Sequence, residues 1–524
     1  MIKVILNKKA GLCYTFLLFL NIAVSQPLQK RYIKADMNRL AGNTSTVFNE
    51  CIGAGRANEG LRADWQQQLA RVQKDIQFKY IRFHGLLHDD MRVYAEDKTG
   101  KVIYNWQYID KLFDYLLSIN IRPFVEFGFM PADLASGTKT IFWWKANVSK
   151  PKDYAKWDAL IAGLVKHWQE RYGEAEVKKW YFEVWNEPDL RGFFDGTQAD
   201  YFELYAHTAK AVKSISPVYR VGGPATSATK WIAEFLTFCD ANQLPVDFIS
   251  THDYGTTSVL DEMGTKKQQL KSMRDTIARD VQRIRDLIRQ SAYKKAELHF
   301  TEWNTSPSSR DPIHDTYQNA AYILHVLKKA SGYANSMSYW TFTDIFEEAG
   351  PGQTPFHGGF GLINLQNIAK PSYYAYKFMS QLGPSELQND DQSSYLCKSS
   401  QGLQILLWDY THPATGYSFN QDYFNKEQPS AVKQSVTIKV NNVKNGKYKL
   451  EIYKVGYQQN DPYTSYLEMG RPAQLSRNDV LQLSKKAAGL PVQQATVNIT
   501  NGRFDHQLNV RHNDIIFIKL LKTQ

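Results

Sequence analysis

Residues 180–190 read Trp-Tyr-Phe-Glu-Val-Trp-Asn-Glu-Pro-Asp-Leu. Tyr181, Phe182, Val184 and Trp185 are the bulky and β-branched types that suit a pleated strand, with polar and apolar side chains alternating at period two. Pro188 has no N–H to give to a sheet ladder, so the strand stops about where Glu187 appears. A second run, Leu298 to Asn304, has the same character through Leu298 and Phe300 and delivers Glu302 inside Thr-Glu-Trp. Two strands far apart in sequence therefore each deliver a glutamate.

Outward from these two runs, strand-like and helix-like stretches alternate from residue 45 to 383. Strands are predicted at Thr46 to Cys51, Tyr80 to His84, Ile121 to Phe127, the Trp180 run, Tyr219 to Gly223, Asp247 to His252, the Leu298 run and Met337 to Thr343. Between them lie helical patterns. The first, through Trp65, Leu69, Val72 and Ile76, has the spacing of one buried helical face. Others follow at Trp106 to Ile119, Tyr154 to Tyr172, Tyr201 to Ile215, Trp231 to Asp240, Ile277 to Ile288, Thr316 to Ala330 and Ser372 to Gln381. About eight β–α units in series imply parallel strands, and a closed (β/α)8 barrel accounts for that number. In such a barrel the chemistry sits at the carboxyl ends of the strands, where Glu187 would end the fourth and Glu302 the seventh. A doubly wound sheet would need a Gly-rich phosphate loop, and Gly53-Ala54-Gly55 falls short of the GxGxxG pattern. From 384 to 524 the rhythm changes to short alternating runs without intervening helices: Leu403 to Trp408, Val436 to Val440, Tyr448 to Ile452, Ala495 to Ile499 and Ile515 to Leu521. This is the pattern of an antiparallel β-sandwich. The 26–44 segment is too short to fold alone and is expected to add a strand to that sandwich. The fold class is thus α/β, a (β/α)8 barrel with an accessory antiparallel β-sandwich.

Residues 1–25 have the form of a secretory signal peptide: Lys3, Lys8 and Lys9, an apolar stretch from Tyr14 to Val24, and the small residues Ala23 and Ser25 before a cut. A secreted or periplasmic protein is expected, with no stable membrane insertion, because that stretch is too short to span a bilayer comfortably. The net charge of +11 is spread along the chain without a basic run, which disfavours nucleic acid as a partner. Of the four cysteines, Cys13 falls in the signal peptide; the three that remain, Cys51, Cys239 and Cys397, are far apart and allow at most one disulfide. Free buried thiols are expected instead, and no CxxC spacing suggests zinc.

Two converging carboxyl groups are what cleavage of a glycosidic bond requires. The bond breaks through an oxocarbenium-like transition state with a poor alkoxide leaving group; one carboxylic acid protonates that oxygen while the other, ionised, attacks or stabilises the sugar carbon. Clusters of rings near the glutamates, Phe142-Trp143-Trp144, Phe193-Phe194 and Tyr339-Trp340, offer apolar faces to a sugar and polar edges besides.

Five motifs occur in order: Arg82-Phe83-His84-Gly85 with His88-Asp89-Asp90, Trp185-Asn186-Glu187-Pro188, Thr251-His252-Asp253-Tyr254, Thr301-Glu302-Trp303, and Tyr339-Trp340 leading to Glu347-Glu348. Asn-Glu-Pro alone is shared by many barrel glycosidases, but the ordered set resembles glycoside hydrolase family 39, which includes β-xylosidases and α-L-iduronidases. The likeness spans essentially the whole mature chain. It implies a retaining enzyme without cofactor, acting on an oligosaccharide, with Glu187 as general acid then base and Glu302 as nucleophile, their carboxyls roughly 5 Å apart. By the same resemblance Asn186 bonds the sugar 2-hydroxyl, His252 and Tyr254 border the nucleophile, Trp340 forms the floor under the sugar ring, and His84 belongs to the sugar site. Glu347 and Glu348 can accept hydrogen bonds from remote hydroxyls. Two glutamates there would repel a uronate and favour a β-xyloside over an iduronide. Gly255 after Tyr254 departs from the family pattern and leaves the aglycone side open. His84 and His88, four apart, follow a strand and lack the glutamate of a zinc-hydrolase helix, which disfavours a metal. The rival readings are another pyranosidase of this fold, acting on arabinosides, glucosides or uronides, and a carbohydrate-binding protein without catalysis.

Overall fold

Eight parallel strands close into a barrel in sequence order: β1 (Cys51–Arg56), β2 (Tyr80–His84), β3 (Arg122–Phe127), β4 (Tyr181–Val184), β5 (Arg220–Thr226), β6 (Phe248–Tyr254), β7 (Glu297–Asn304) and β8 (Ser336–Tyr339). The computed structural model describes residues 28–413 and 419–523; the expected signal peptide lies outside the described residues. Each strand is followed by a helix: α1 (Ala63–Ile76), α2 (Gln107–Ser118), α3 (Tyr154–Tyr172), α4 (Gln198–Ile215), α5 (Ile232–Ala241), α6 (Thr276–Gln290), α7 (Tyr317–Ala330) and α8 (Pro371–Ser380).

Local chemistry starts these helices. Asp153 accepts the Ala155 and Lys156 N–H groups ahead of α3, and Thr197 forms a capping box with Asp200 ahead of α4. Helix α3 buries Trp157, Leu160, Ile161, Leu164, Val165 and Trp168, a stripe at i, i+3, i+4 spacing. Phe182, on the outward side of β4, stacks on Phe127 and on Trp168. Alternate residues turn into the barrel instead, where Cys51, Tyr80, Phe124, Tyr181 and Phe248 form one buried cluster. The barrel is a packed core whose upper layers alone remain for chemistry.

One strand differs from its predicted place. The 46–50 stretch holds a turn at Val47 to Asn49 and no strand, and β1 begins at Cys51 and includes Gly53-Ala54-Gly55. Glycines make this strand weak by propensity, but a Cβ at Gly53 would lie 2.5 Å from Trp340 Cε3, and one at Gly55 2.3 Å from Glu59 Oε2. The Gly-rich run is thus a strand against which two side chains pack closely.

The remaining chain forms two packed sheets. Seven strands, Leu40–Asn43, Ser385–Leu387, Ser394–Ser399, Gly402–Trp408, Ile515–Lys522, Gly446–Val455 and Gln493–Ile499, lie side by side in that order. A three-stranded sheet holds Gln29–Asp36, Val432–Asn441 and Arg503–Arg511. Within it Gln29–Asp36 runs parallel to Val432–Asn441, an exception to the antiparallel pattern. The seven-stranded sheet is apolar on both faces. Leu403, Ile405 and Leu407 join the core between the sheets, while Leu406 and Trp408 join the barrel core. Phe517 stacks on Phe378 of α8.

Two helices, Pro462–Glu468 and Arg477–Lys486, interrupt the expected run of strands. The second buries Leu483 alone, so its sequence shows no apolar stripe, and Ser476 caps it. Both pack on Phe356 and Ile368 of the long segment between β8 and α8. That segment is also pinned from inside: Lys370 Nζ lies 2.6 Å from Asp315 and 2.7 Å from Asp344, all three side chains fully buried. A buried pair of this kind fixes geometry more than it adds stability.

Candidate active site

Four strands send charged side chains into the barrel above the aromatic floor. Arg82 of β2 is fully buried and donates to Glu183 Oε2 of β4 at 2.5 Å, Glu302 Oε1 of β7 at 2.8 Å and Asn186 Oδ1 at 2.9 Å. Its guanidinium also lies 2.8 Å from Glu126 Oε2 of β3. Glu183 accepts the Thr301 hydroxyl at 2.8 Å on its other oxygen. The planar, permanently charged fork of arginine suits this task, since each partner carboxylate sits on a different N–H.

Glu302 and Glu187 meet above Arg82. The pairing of β6 with β7 slips after Thr251, so that His252 stands opposite Glu302 in the ladder. Tyr254 donates its hydroxyl to Glu302 Oε2 at 2.7 Å. His252 Nδ1 is 3.0 Å from Glu187 Oε1 and 3.6 Å from Glu302 Oε2, bridging the two acids. Glu187 arrives on strained backbone: it has φ +44° and Trp185 has φ +69°, the left-handed region for two non-glycine residues. The Trp185 indole N–H is tied to the Phe193 carbonyl at 2.9 Å. Ligand-type atoms of Glu187, His252 and Glu302 all lie within 4.8 Å of one another. They are the residues here that could hold a cation, but Arg82 and Tyr254 already donate to the two Glu302 oxygens, which fits a carboxylate held as an anion better than a metal ligand.

The electrostatics separate the two acids. Burial raises the Glu187 carboxyl above its ordinary value, and Glu302 and Asp189 add to this against the opposing effect of His252. Burial acts on Glu302 in the same sense, but His252, Arg82, His84 and the Tyr254 hydroxyl outweigh it and hold the carboxyl low. The surroundings thus drive the two carboxyls apart, Glu187 toward its protonated form and Glu302 toward its ionised form. Activity that needs both states should fall at low pH as Glu302 takes up a proton and at high pH as Glu187 loses one. The kcat/KM profile is therefore expected to be a bell, its acid limb below and its alkaline limb above the ordinary carboxylate range. A profile flat across that range would contradict the assignment of charge states.

His84 lies behind Glu302. Its Nδ1 is 2.7 Å from Glu126 Oε2, and its Nε2 is 3.5 Å from both Glu302 Oε1 and Glu348 Oε1. Burial opposes its charge, yet Glu126, Glu348 and Glu302 push the imidazolium up to about 10. Trp340 exposes 2% of its surface. Its ring packs 4.7 Å from His84 and 5.8 Å from the Arg82 guanidinium carbon, and edge-on against Phe346.

Of the two adjacent glutamates after Trp340, Glu348 joins this group and Glu347 does not. Glu347 is taken by Arg56 at 2.9 Å and Arg62 at 2.8 Å, while Glu348 lies in the turn that the Gly350 N–H closes on the Glu347 carbonyl and faces His84. Beneath them Glu59 accepts the Glu347 N–H at 3.0 Å, and burial together with Glu347 pushes the Glu59 carboxyl up to about 8. On the other side the Trp143 N–H donates to the Glu348 carbonyl at 2.8 Å. Gly255 is required by close approach, since a Cβ there would lie 2.4 Å from the Tyr322 hydroxyl oxygen. It leads into a hairpin of Thr256–Leu260 and Lys266–Leu270.

Arg82, Glu126, Glu183 and Glu59 were not singled out as site residues from the sequence. A signal existed: Arg82 and His84 share one side of β2, and Glu183 shares the inward side of β4 with Tyr181. Charge on the barrel-facing side of a strand marks a polar layer.

The profile of the glycosyl hydrolases family 39 matches residues 31–504. A β-xylosidase of Geobacillus stearothermophilus is 44% identical over 369 residues, which cover 68% of this chain and 73% of that relative. A β-xylosidase of Caldicellulosiruptor saccharolyticus is 36% identical over 482 residues, 90% of this chain and 95% of the relative. The crystal structure of a monomeric β-xylosidase from Caulobacter crescentus CB15 superposes with a TM-score of 0.92 at 38% identity, covering 94% of this chain and 100% of that one. With a profile match over most of its length, relatives at this identity and two carboxyl groups converging in a barrel mouth, the chain belongs to the glycosyl hydrolases family 39 and is a glycoside hydrolase.

Proposed function

We propose that the chain is a retaining exo-glycosidase that hydrolyses β-xylosidic bonds in xylo-oligosaccharides. The observation that carries this reading is the approach of Glu187 and Glu302, with a carboxylate oxygen of each within 4.8 Å of the other. Inverting enzymes hold their carboxyls roughly 6.5–9.5 Å apart to admit a water, and retaining enzymes about 5 Å apart. Glu302, ionised and aimed by Arg82 and Tyr254, attacks the anomeric carbon. Glu187 passes its proton to the glycosidic oxygen as the bond breaks. In the second step Glu187 takes a proton from water, which displaces Glu302 and releases the sugar. Asn186, its oxygen on Arg82, has amide N–H donors for the 2-hydroxyl, and Trp340 lies under the ring. The basic then apolar N-terminus supports export.

Support for xylose comes from the relatives named β-xylosidase and from charge. Glu348 and Glu302 stand around His84, and the nearby cations Arg56 and Arg62 are already paired with Glu347, Asp90 and Asp64. A uronate would enter a pocket in which the charged His84 already serves Glu126, Glu302 and Glu348 and in which Arg56 and Arg62 are paired. A panel of nitrophenyl glycosides tests this. The β-xyloside is expected to exceed the β-glucoside in kcat/KM by about 10–200-fold, the range a single added group commands, and the α-L-iduronide should not react. Faster turnover of the iduronide, or sugar binding by calorimetry with no glycoside hydrolysed, would overturn the proposal.

A further inference from the structure

The segment that follows β5 concentrates backbone strain beside Glu187. Ala225, Ala228, Thr229 and Trp231 have φ of +52°, +48°, +57° and +59°, left-handed values that carry a steric cost for any residue with a side chain. Such a conformation persists only where its surroundings impose it. Beside contacts of Thr226 with the Lys230 carbonyl and of Arg283 with Thr229, the segment is tied to Asp189, two residues beyond Glu187, whose side chain is 1% exposed. One Asp189 oxygen accepts the Ser227 N–H at 2.7 Å; the other accepts the Ser227 hydroxyl at 2.5 Å and the Lys230 ammonium at 3.1 Å. The closed segment then acts back on the acid in two ways. The Ala225 carbonyl accepts the Glu187 N–H at 2.8 Å. The Thr226 carbonyl accepts the Thr251 hydroxyl at 2.8 Å, next to His252, whose ring holds the Glu187 carboxyl.

We propose that Asp189 is a positioning residue for Glu187: by closing the 225–231 segment it sets both the backbone and the His252 contact that hold the Glu187 carboxyl where proton transfer to the leaving oxygen occurs. The proposal rests on the reading of Glu187 as proton donor. It assigns Asp189 no contact with the sugar and no part in the attack by Glu302. In the first step the Glu187 proton moves to the glycosidic oxygen while the bond from that oxygen to the anomeric carbon breaks and Glu302 forms its ester. A residue that acts only through the donor therefore matters when the departing oxygen needs the proton, and matters little when it leaves as a stable phenolate. A residue that merely supports the fold would affect both kinds of substrate alike.

The test is kcat/KM, which reads the first step, on phenyl and dinitrophenyl β-xylosides for the full-length enzyme and its D189N, S227A and E187A variants. D189N is expected to lose about ten- to a hundredfold on the phenyl xyloside, part of the 10²–10⁴ range of general acid catalysis, and to stay within about twofold on the dinitrophenyl one. S227A should show the same selectivity in smaller measure, and E187A in larger. If E187A is selective for the good leaving group while D189N and S227A lose both substrates equally, or neither, the proposal is overturned and the Glu187 assignment stands. If E187A shows no such selectivity, the acid assignment itself fails and takes the proposal with it.

Discussion

Glu302→Ala is expected to lower kcat on β-xylosides by on the order of a millionfold, the loss seen when a nucleophile acting as one unit with its partners is removed. The fold should persist, because Arg82 keeps Glu183 and Glu126 as buried partners and the loss is one acceptor each for Arg82 Nη1 and the Tyr254 hydroxyl. Removing the side chain also opens the face from which it attacked. A small anion such as azide can then enter there, and on a dinitrophenyl xyloside, which does not need the proton of Glu187, it should give an α-xylosyl azide. That product has inverted configuration. Rescue with retention, or an alanine variant with unimpaired hydrolysis, would remove Glu302 from the role of nucleophile.

Arg82→Met is expected to carry the largest cost in stability, about 3–5 kcal/mol or more, because it leaves three buried carboxylates without the cation they share. Methionine fills much of the arginine stem volume, so the loss reads charge more than cavity. Chemical denaturation of the two proteins side by side measures it. The same change acts on the chemistry. Arg82 is among the groups that hold the Glu302 carboxyl low, so without it that carboxyl rises and the acid limb of the kcat/KM profile moves to higher pH. Arg82→Lys should not restore the wild-type profile, since the three N–H groups of an ammonium radiate from one atom and cannot span the acceptors that Nε, Nη1 and Nη2 reach separately on Glu183, Glu302, Asn186 and Glu126. A Met variant of unchanged stability and unchanged acid limb would show that the network does not do what its geometry suggests.

The barrel was legible because its rhythm is carried by long, strongly patterned pieces. Helices such as α3 and α6 bury one clean stripe, and strands such as β2 and β7 alternate apolar or aromatic residues with polar ones. Strand β1 was displaced because its middle is Gly-Ala-Gly, and the reason for glycine there, the closeness of Trp340 and Glu59, lies hundreds of residues away or on the far side of a turn. The helix Arg477–Lys486 was invisible for the opposite reason, being short and polar with a single buried residue. In the site, strand ends told where Glu187 and Glu302 sit. The polar layer beneath them was signalled only by charges on the barrel-facing side of single strands; that Arg82, Glu126 and Glu183 form one network could not be read, because they come from three different strands. Likewise Glu347 and Glu348 are chemically identical in sequence. Only the position of Arg56 and Arg62 decides which of them is withdrawn from the sugar side.

The most direct measurement is proton NMR of the xylose first released from an aryl β-xyloside, followed before mutarotation mixes the anomers. Convergence of an ionised Glu302 and a protonated Glu187 on one anomeric carbon predicts β-xylose as the initial product. Initial α-xylose would mean that water, and not Glu302, makes the attack, and would contradict the account.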